Sequence, residues 1–239
     1  MHTLLFSSCG EAHERTVEYV YKEGKKAITE DNEHIIELEI PLTIIIKNPL
    51  ADPKTSFKLK VGPKFLEAYE KSLLTIRINQ GNNTDPTYTY GNRLCDYPCQ
   101  DEYGYTVGDG DNEGYNQIKA VIKKLQENAN TRRAIAITWI PCKDNKSNEP
   151  PCLQLIWFKI DSFNKLNMVS IFRSNDVLSA LGQNLYALSY LFKHVYSNVY
   201  IGPSSIESNY YDKIGTLTHI ILSPHLYYVR DVAELKRFV

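Results

Sequence analysis

The stretch "DVLSALGQNLYALSYLFKHVYSNVY" constrains the fold more than any other. Its apolar residues recur at helical spacing but occupy most faces, so a helix here must be covered on nearly every side. Three strand-like runs precede it, "RRAIAITWI", "CLQLIWFKI" and "KLNMVSIFR", the last two joined by a hairpin-like "DSFN". Another strand-like run, "GTLTHIILSPHLYY", follows it. Strands and helices mix without strict alternation, which implies the α+β class: a mixed β-sheet with a long buried central helix.

The flanking segments fit this class. Val17, Val20 and Tyr21 lie at helical spacing within residues 11–23, and Gly24 ends the pattern. "HIIELEIPLTIIIK" reads as a strand interrupted near Pro41. "GPKFLEAYEKSLL" sets Phe65, Leu66, Tyr69 and Leu73 on one helical face, and "EGYNQIKAVIKKLQENA" is a second amphipathic helix. Between them, Asn79 to Gly114 is polar and rich in Gly, Asn, Asp and Tyr, a long loop of the kind that serves function. "DVAELKRF" is a short terminal helix. Without repeats or a linker, residues 1–239 are expected to form a single domain.

Composition narrows the function classes. A chain of 239 residues with 43% hydrophobic content can bury a core without disulfides or a structural metal. The net charge of −1 supplies no global basic field, so no nucleic-acid partner is expected and any phosphate needs a local cluster. The five cysteines, Cys9, Cys95, Cys99, Cys142 and Cys152, are odd in number and irregularly spaced, which suits a reducing compartment. Cys95 and Cys99 have no matching pair at zinc spacing, so no metal is expected. The start "MHTLLFSSCGEAHER" lacks a basic signal region, and "IPLTIII" is far shorter than the roughly 20 residues that span a bilayer. A cytoplasmic protein without membrane association is the expectation.

Several residues suggest chemistry. In "NEPPCLQLIW", Cys152 follows two prolines at the mouth of a strand. A cysteine there is either a small hydrophobe or a nucleophile whose thiolate nearby guanidinium groups favour. "TRRAIAITW" supplies Arg132 and Arg133, whose adjacency on a strand sends them to opposite faces. "FRSND" supplies Arg173, Ser174, Asn175 and Asp176 ahead of a helix, a set that suits a phosphate. It equally suits a solvated strand end with Asp176 as N-cap. Asn184 interrupts the apolar helix, and its amide offers a donor and an acceptor, matching a uracil edge or an interhelical hydrogen bond. His225 and Tyr227 lie two apart on one side of a strand, able to orient a ligand or to satisfy each other. "DGDNEG" resembles half of a calcium loop, but the twelfth position from Asp109 is Ala120. "TYTYGNR" with Arg93 is too short a cluster for a nucleic-acid surface.

Together, "TRRAIAITW…PPCLQLIWF…KLNMVSIFRSNDVLSALGQNLYALSYL…SPHLYY" resembles the thymidylate synthase family. The resemblance runs from about Asn116 to Tyr228, with "YTYGNRL" matching a shorter upstream motif, and it is most similar to the archaeal branch. It implies that Cys152 adds to C6 of a pyrimidine nucleotide and that Arg173 and Ser174 hold its 5′-phosphate. Arg132 and Arg133 would join them from the other subunit of a homodimer whose sheets pack across the interface. Asp176 would contact the pterin and help order the site, Asn184 would read the base, and His225 with Tyr227 would bind the sugar hydroxyl.

The implied activity is methylation of dUMP by methylenetetrahydrofolate or a methylenetetrahydromethanopterin-type carrier. The alternative is a pyrimidine-nucleotide hydroxymethylase acting on dUMP, dCMP or CMP, in which water captures the methylene intermediate. Asn184 favours uracil, since the deoxycytidylate-specific relatives carry aspartate there. A catalytically silent nucleotide- or RNA-binding homologue is a third class, which retention of Cys152 disfavours. The family's N-terminal phosphate arginine and its folate-site tryptophans have no counterpart here, and Glu67 and Glu70 are the candidates for its catalytic glutamate.

Overall fold

Apolar residues alternate with half-exposed ones along the strands, and this pattern decides which side of the sheet becomes core. The computed structural model describes residues 2–77, 88–100, 103–105, 114–201 and 212–239. The first half holds β1 (His2–Phe6), α1 (Cys9–Glu23), β2 (Lys25–Ile28), β3 (His34–Glu37), β4 (Leu42–Ile46) and α2 (Pro63–Ser72). Next come α3 (Tyr90–Cys95), α4 (Gln117–Glu127), β5 (Ile135–Ile137) and α5 (Pro141–Asp144). The remainder holds β6 (Leu153–Ile160), β7 (Leu166–Asp176), α6 (Leu181–Tyr196), a π-helical turn Ser197–Ile201, β8 (Ile214–Leu226) and α7 (Val232–Leu235).

Among the described residues, eight strands form one mixed sheet with the order β1-β4-β8-β7-β6-β5, and β3 joins β2 to the end of β8. β7 and β8 pair in parallel, so the chain must cross over between them. The helix α6 makes that crossover, which is why it is apolar on most faces: α1 and α2 also pack against it. Directly paired residues share a sheet face. Ala136, Ile156, Ser170, His219 and Ile44 follow one another across the strands and are all fully buried. On the opposite face, the row Ile135, Trp157, Val169, Thr218, Ile45 and Leu5 is half-buried or exposed.

The α+β class and the central helix agree with the sequence reading; several boundaries differ. The polar stretch from Asn79 contains α3, held by a buried ion pair in which Arg93 Nη2 lies 2.7 Å from Asp144 Oδ1. Arg93 is therefore structural. Phe65, expected on the buried face of α2, is 51% exposed and stacks on Tyr69 instead. β1 and β2 were not evident, because "HTLLF" and "KKAI" are short runs at the sheet margin. The calcium-like "DGDNEG" lies, apart from Gly114, outside the described residues.

Candidate active site

The two prolines before Cys152 end the loop and aim their carbonyls at a cation. Arg173 on β7 donates from Nη2 to Pro150 O at 2.8 Å and from Nε to Pro151 O at 3.2 Å. Its backbone N–H donates to Cys152 O at 2.8 Å. Thiol and guanidinium are thus tied to the same short piece of backbone. A register shift between Leu153 and Leu155 leaves Gln154 as the extra residue of a bulge, and its Nε2 also donates to Pro151 O at 2.6 Å. Bulges of this kind re-aim a side chain where a strand begins. Tyr90 on α3 braces the same strand by accepting from Leu153 N at 3.1 Å.

Cys152, Arg173, Ser174 and Asp176 all line one cleft of about 800 Å³. Asn184, His225 and Tyr227 line it too. Burial pushes the Cys152 thiol above its ordinary pKa, and Arg173 only partly offsets this. Within a single chain, desolvation of the thiolate outweighs the one guanidinium of Arg173. Burial likewise raises Tyr69, Tyr88 and Tyr90 around the thiol, so these phenols stay protonated near neutrality.

The other predicted residues have defined partners. Asp176 Oδ1 accepts from the N–H groups of Leu178 and Ser179 at 3.0 and 3.2 Å, while Oδ2 accepts from Arg230 Nη2 at 3.1 Å. It caps the turn at 177–180 and not α6, which begins only at Leu181. Arg173 and Ser174 accordingly lie within β7, away from a helix N-terminus, contrary to the sequence expectation. His225 Nδ1 donates to Ser223 O at 3.2 Å, with Ser174 Oγ 3.5 Å from the same nitrogen. The His225 and Tyr227 rings meet edge-on at 5.2 Å. Asn184 accepts from the Tyr69 hydroxyl at 2.6 Å and donates to Asn175 Oδ1 at 3.3 Å.

Arg132 and Arg133 do not line this cleft. Both are exposed ahead of β5, where Ala134 O accepts from Phe158 N. That level is six residues along β6 from Cys152, roughly 20 Å at about 3.3 Å per residue.

The match to known proteins is consistent along the chain. A family model described as thymidylate synthase covers residues 68–231. The chain belongs to the thymidylate synthase family. A relative from Methanosarcina barkeri, described as "Putative thymidylate synthase", is 36% identical over 203 residues, covering 84% of this chain and 79% of the relative. One from Methanocaldococcus jannaschii with the same description is 33% identical over 236 residues, 97% of this chain and 93% of its own. A thymidylate synthase-type activity, one-carbon transfer to a pyrimidine nucleotide, comes with that membership.

Seen as a thymidylate synthase-family cleft, the site has members that sequence reasoning missed. Neither Glu67 nor Glu70 lines it; Glu70 engages Tyr186 instead. Tyr69, between them, points inward to Asn184. Glu37 of β3 lines the cleft and accepts from Ser223 Oγ at 2.5 Å. Arg230 stacks 3.7 Å over the Tyr227 ring while pairing with Asp176. The usable signal for Arg230 was its place one turn beyond Tyr227; Glu37 carried none, because strand pairing alone brings it there. Trp139 and Trp157 are absent from the lining. Among the described residues, no helix is long and apolar enough to cross a membrane, and no group of three His, Cys, Asp or Glu side chains could hold a metal ion.

Proposed function

We propose that this chain is a thymidylate synthase that methylates dUMP at C5, with Cys152 as nucleophile. The observation that carries the reading is the tie between Cys152 and Arg173 in a cleft also lined by Asn184. The thiolate forms a bond to C6, the C5–C6 π electrons move toward O4, and C5 becomes able to attack a one-carbon unit. Arg173 and Ser174 hold the 5′-phosphate, Asn184 faces the O4 and N3 edge, and His225 with Tyr227 receives the sugar hydroxyl. Asp176 contacts the pterin.

Residues 1–239 act as one domain within a homodimer. The roughly 20 Å between Arg132–Arg133 and the thiol of the same chain supports their delivery from a second copy. The half-exposed apolar row through Ile135, Val169 and Ile45 supplies a face for that copy. Those two added guanidinium groups would lower the thiol that burial raises.

The cleft brings Asp176 together with Tyr69, Tyr88 and Tyr90, and a second, apolar cavity of about 740 Å³ shares these three tyrosines, so the residues present fit a reduced pterin beside the nucleotide. When bound, a methylene-pterin of the tetrahydrofolate or tetrahydromethanopterin type supplies the carbon and the hydride. The alternative product is hydroxymethyl nucleotide, favoured by Glu30, Asp31 and Glu37, which line the cleft and can hold water there.

Mass spectrometry of the nucleotide after incubation with dUMP and each carrier tests the reading. Methylated product is expected with one of them. Hydroxymethyl product would transfer the same site to the alternative, and dUMP that is neither bound nor altered would overturn the methylation of dUMP.

A further inference from the structure

We propose that a buried hydrogen-bonded chain, Tyr69–Asn184–Asn175–His219–Ser170, locks the Asn184 amide in one orientation and so decides which pyrimidine edge the cleft accepts. The inference rests on the reading of Asn184 as the residue that faces the base.

A primary amide turned over by half a rotation keeps its shape but exchanges its donor and acceptor. Uracil presents an acceptor at O4 beside a donor at N3, whereas cytosine presents a donor at N4 beside an acceptor at N3. A freely turning asparagine would therefore serve either base. Asn184 is not free. Its Oδ1 accepts from Tyr69 at 2.6 Å and its Nδ2 donates to Asn175 Oδ1 at 3.3 Å. One N–H and one lone pair remain for a ligand, on fixed sides of the amide, so in a given pose only one of the two base edges finds its complement.

The lock extends into the core. Asn175 Nδ2 lies 3.2 Å from His219 Nε2. The amide nitrogen has no lone pair to offer, so Nε2 must be the acceptor and the imidazole proton must sit on Nδ1. That proton is donated to Ser170 Oγ at 2.8 Å, directly across the β7–β8 pairing. Burial pushes His219 down to about 3, so the ring stays neutral and keeps its accepting nitrogen. Turning Asn184 alone would set two carbonyl oxygens face to face at Asn175. Turning Asn175 as well would set its oxygen against the His219 lone pair. Only reversal of the whole chain restores every bond, and Ser170 and His219 are fully buried, where water cannot substitute for a lost partner. Ser170, His219, Asn175 and Tyr69 are thus positioning residues.

The test is the affinity of dUMP relative to dCMP, by calorimetry, for the wild type and for Tyr69→Phe, Asn175→Leu and Ser170→Ala. Nitrogen NMR of labelled wild-type protein, reading the His219 tautomer, accompanies it. The wild type should prefer dUMP and show a protonated Nδ1, and each substitution should reduce the preference about tenfold, the size of one buried hydrogen bond. Ser170→Ala is decisive among the variants, because Ser170 is remote from the ligand and changes a ratio only through the chain. A wild type that prefers dUMP while Ser170→Ala and Tyr69→Phe leave the ratio unchanged would overturn the lock and spare the assigned function. So would a protonated Nε2 on His219. A wild type that binds neither nucleotide would overturn the function reading, and the lock with it.

Discussion

Two histidines illustrate how burial sets chemistry residue by residue. His13 and His219 are fully buried, and desolvation lowers them to about 4 and about 3. In the unfolded chain each protonates near the ordinary value of 6.5. Below that pH the unfolded state therefore binds more protons than the native one, and stability falls as pH falls. Each histidine contributes a slope of about 1.4 kcal/mol per pH unit until its own native pKa is reached. Urea unfolding of the wild type at pH 7, 6 and 5 should show this loss. His13→Gln, which keeps a donor for Leu178 O, should remove one histidine's share of the slope below pH 6.5. Cys152 obeys the same rule with the opposite sign of shift, since burial there disfavours an anion.

At the scale of elements, the cleft depends on short pieces pinned by buried polar contacts. The helix α3 has only six residues, too few to hold by its own hydrogen bonds. Its position comes from Arg93, which donates to both oxygens of Asp144 at 2.7 and 3.2 Å, and Asp144 in turn accepts from Ile140 N. Arg93→Ala leaves a buried carboxylate uncompensated and should destabilise the protein by about 3–5 kcal/mol, read from the urea midpoint. Activity should fall with it, because α3 carries the Tyr90 that braces Leu153 at the start of β6. The bulge at Gln154 is a comparable device: one extra residue in β6, placed next to Cys152.

At the scale of the whole molecule, the sheet separates two tasks. One face, with α6 against it, holds the core and the buried chain from Ser170 to Asn184. The other face is apolar and half-exposed, and the proposed second copy would cover it. A shared site has a sharp consequence. Cys152→Ala and the double substitution of Arg132 and Arg133 by Ala should each be inactive alone. Mixed in equal amounts and allowed to exchange subunits, they form hybrids for about half of the dimers, each with one intact site. Activity should then recover to about a quarter of the wild-type level. No recovery, despite hybrids detected by native mass spectrometry, would show that each site uses the arginines of its own chain.

The sequence by itself determined the α+β class, the central helix and, of the cleft's polar lining, Cys152, Arg173, Ser174, Asp176, Asn184, His225 and Tyr227. Periodicity over Leu181–Tyr196 and the runs that became β6, β7 and β8 are local properties, and local patterns survive without tertiary context. The order of Cys152, Arg173, Asp176 and Asn184 was legible because these side chains come from consecutive elements, the entry to β6, the end of β7 and α6. What only the tertiary structure decided depends on distance and desolvation, which no spacing encodes. Glu37 and Arg230 reach the cleft by strand pairing and by a turn. Tyr69 reaches Asn184 across 115 positions, and His219 reaches Asn175 across 44. The direction of the Cys152 shift likewise waited on the fold, because a thiol's pKa balances the charges that surround it against the water it has lost.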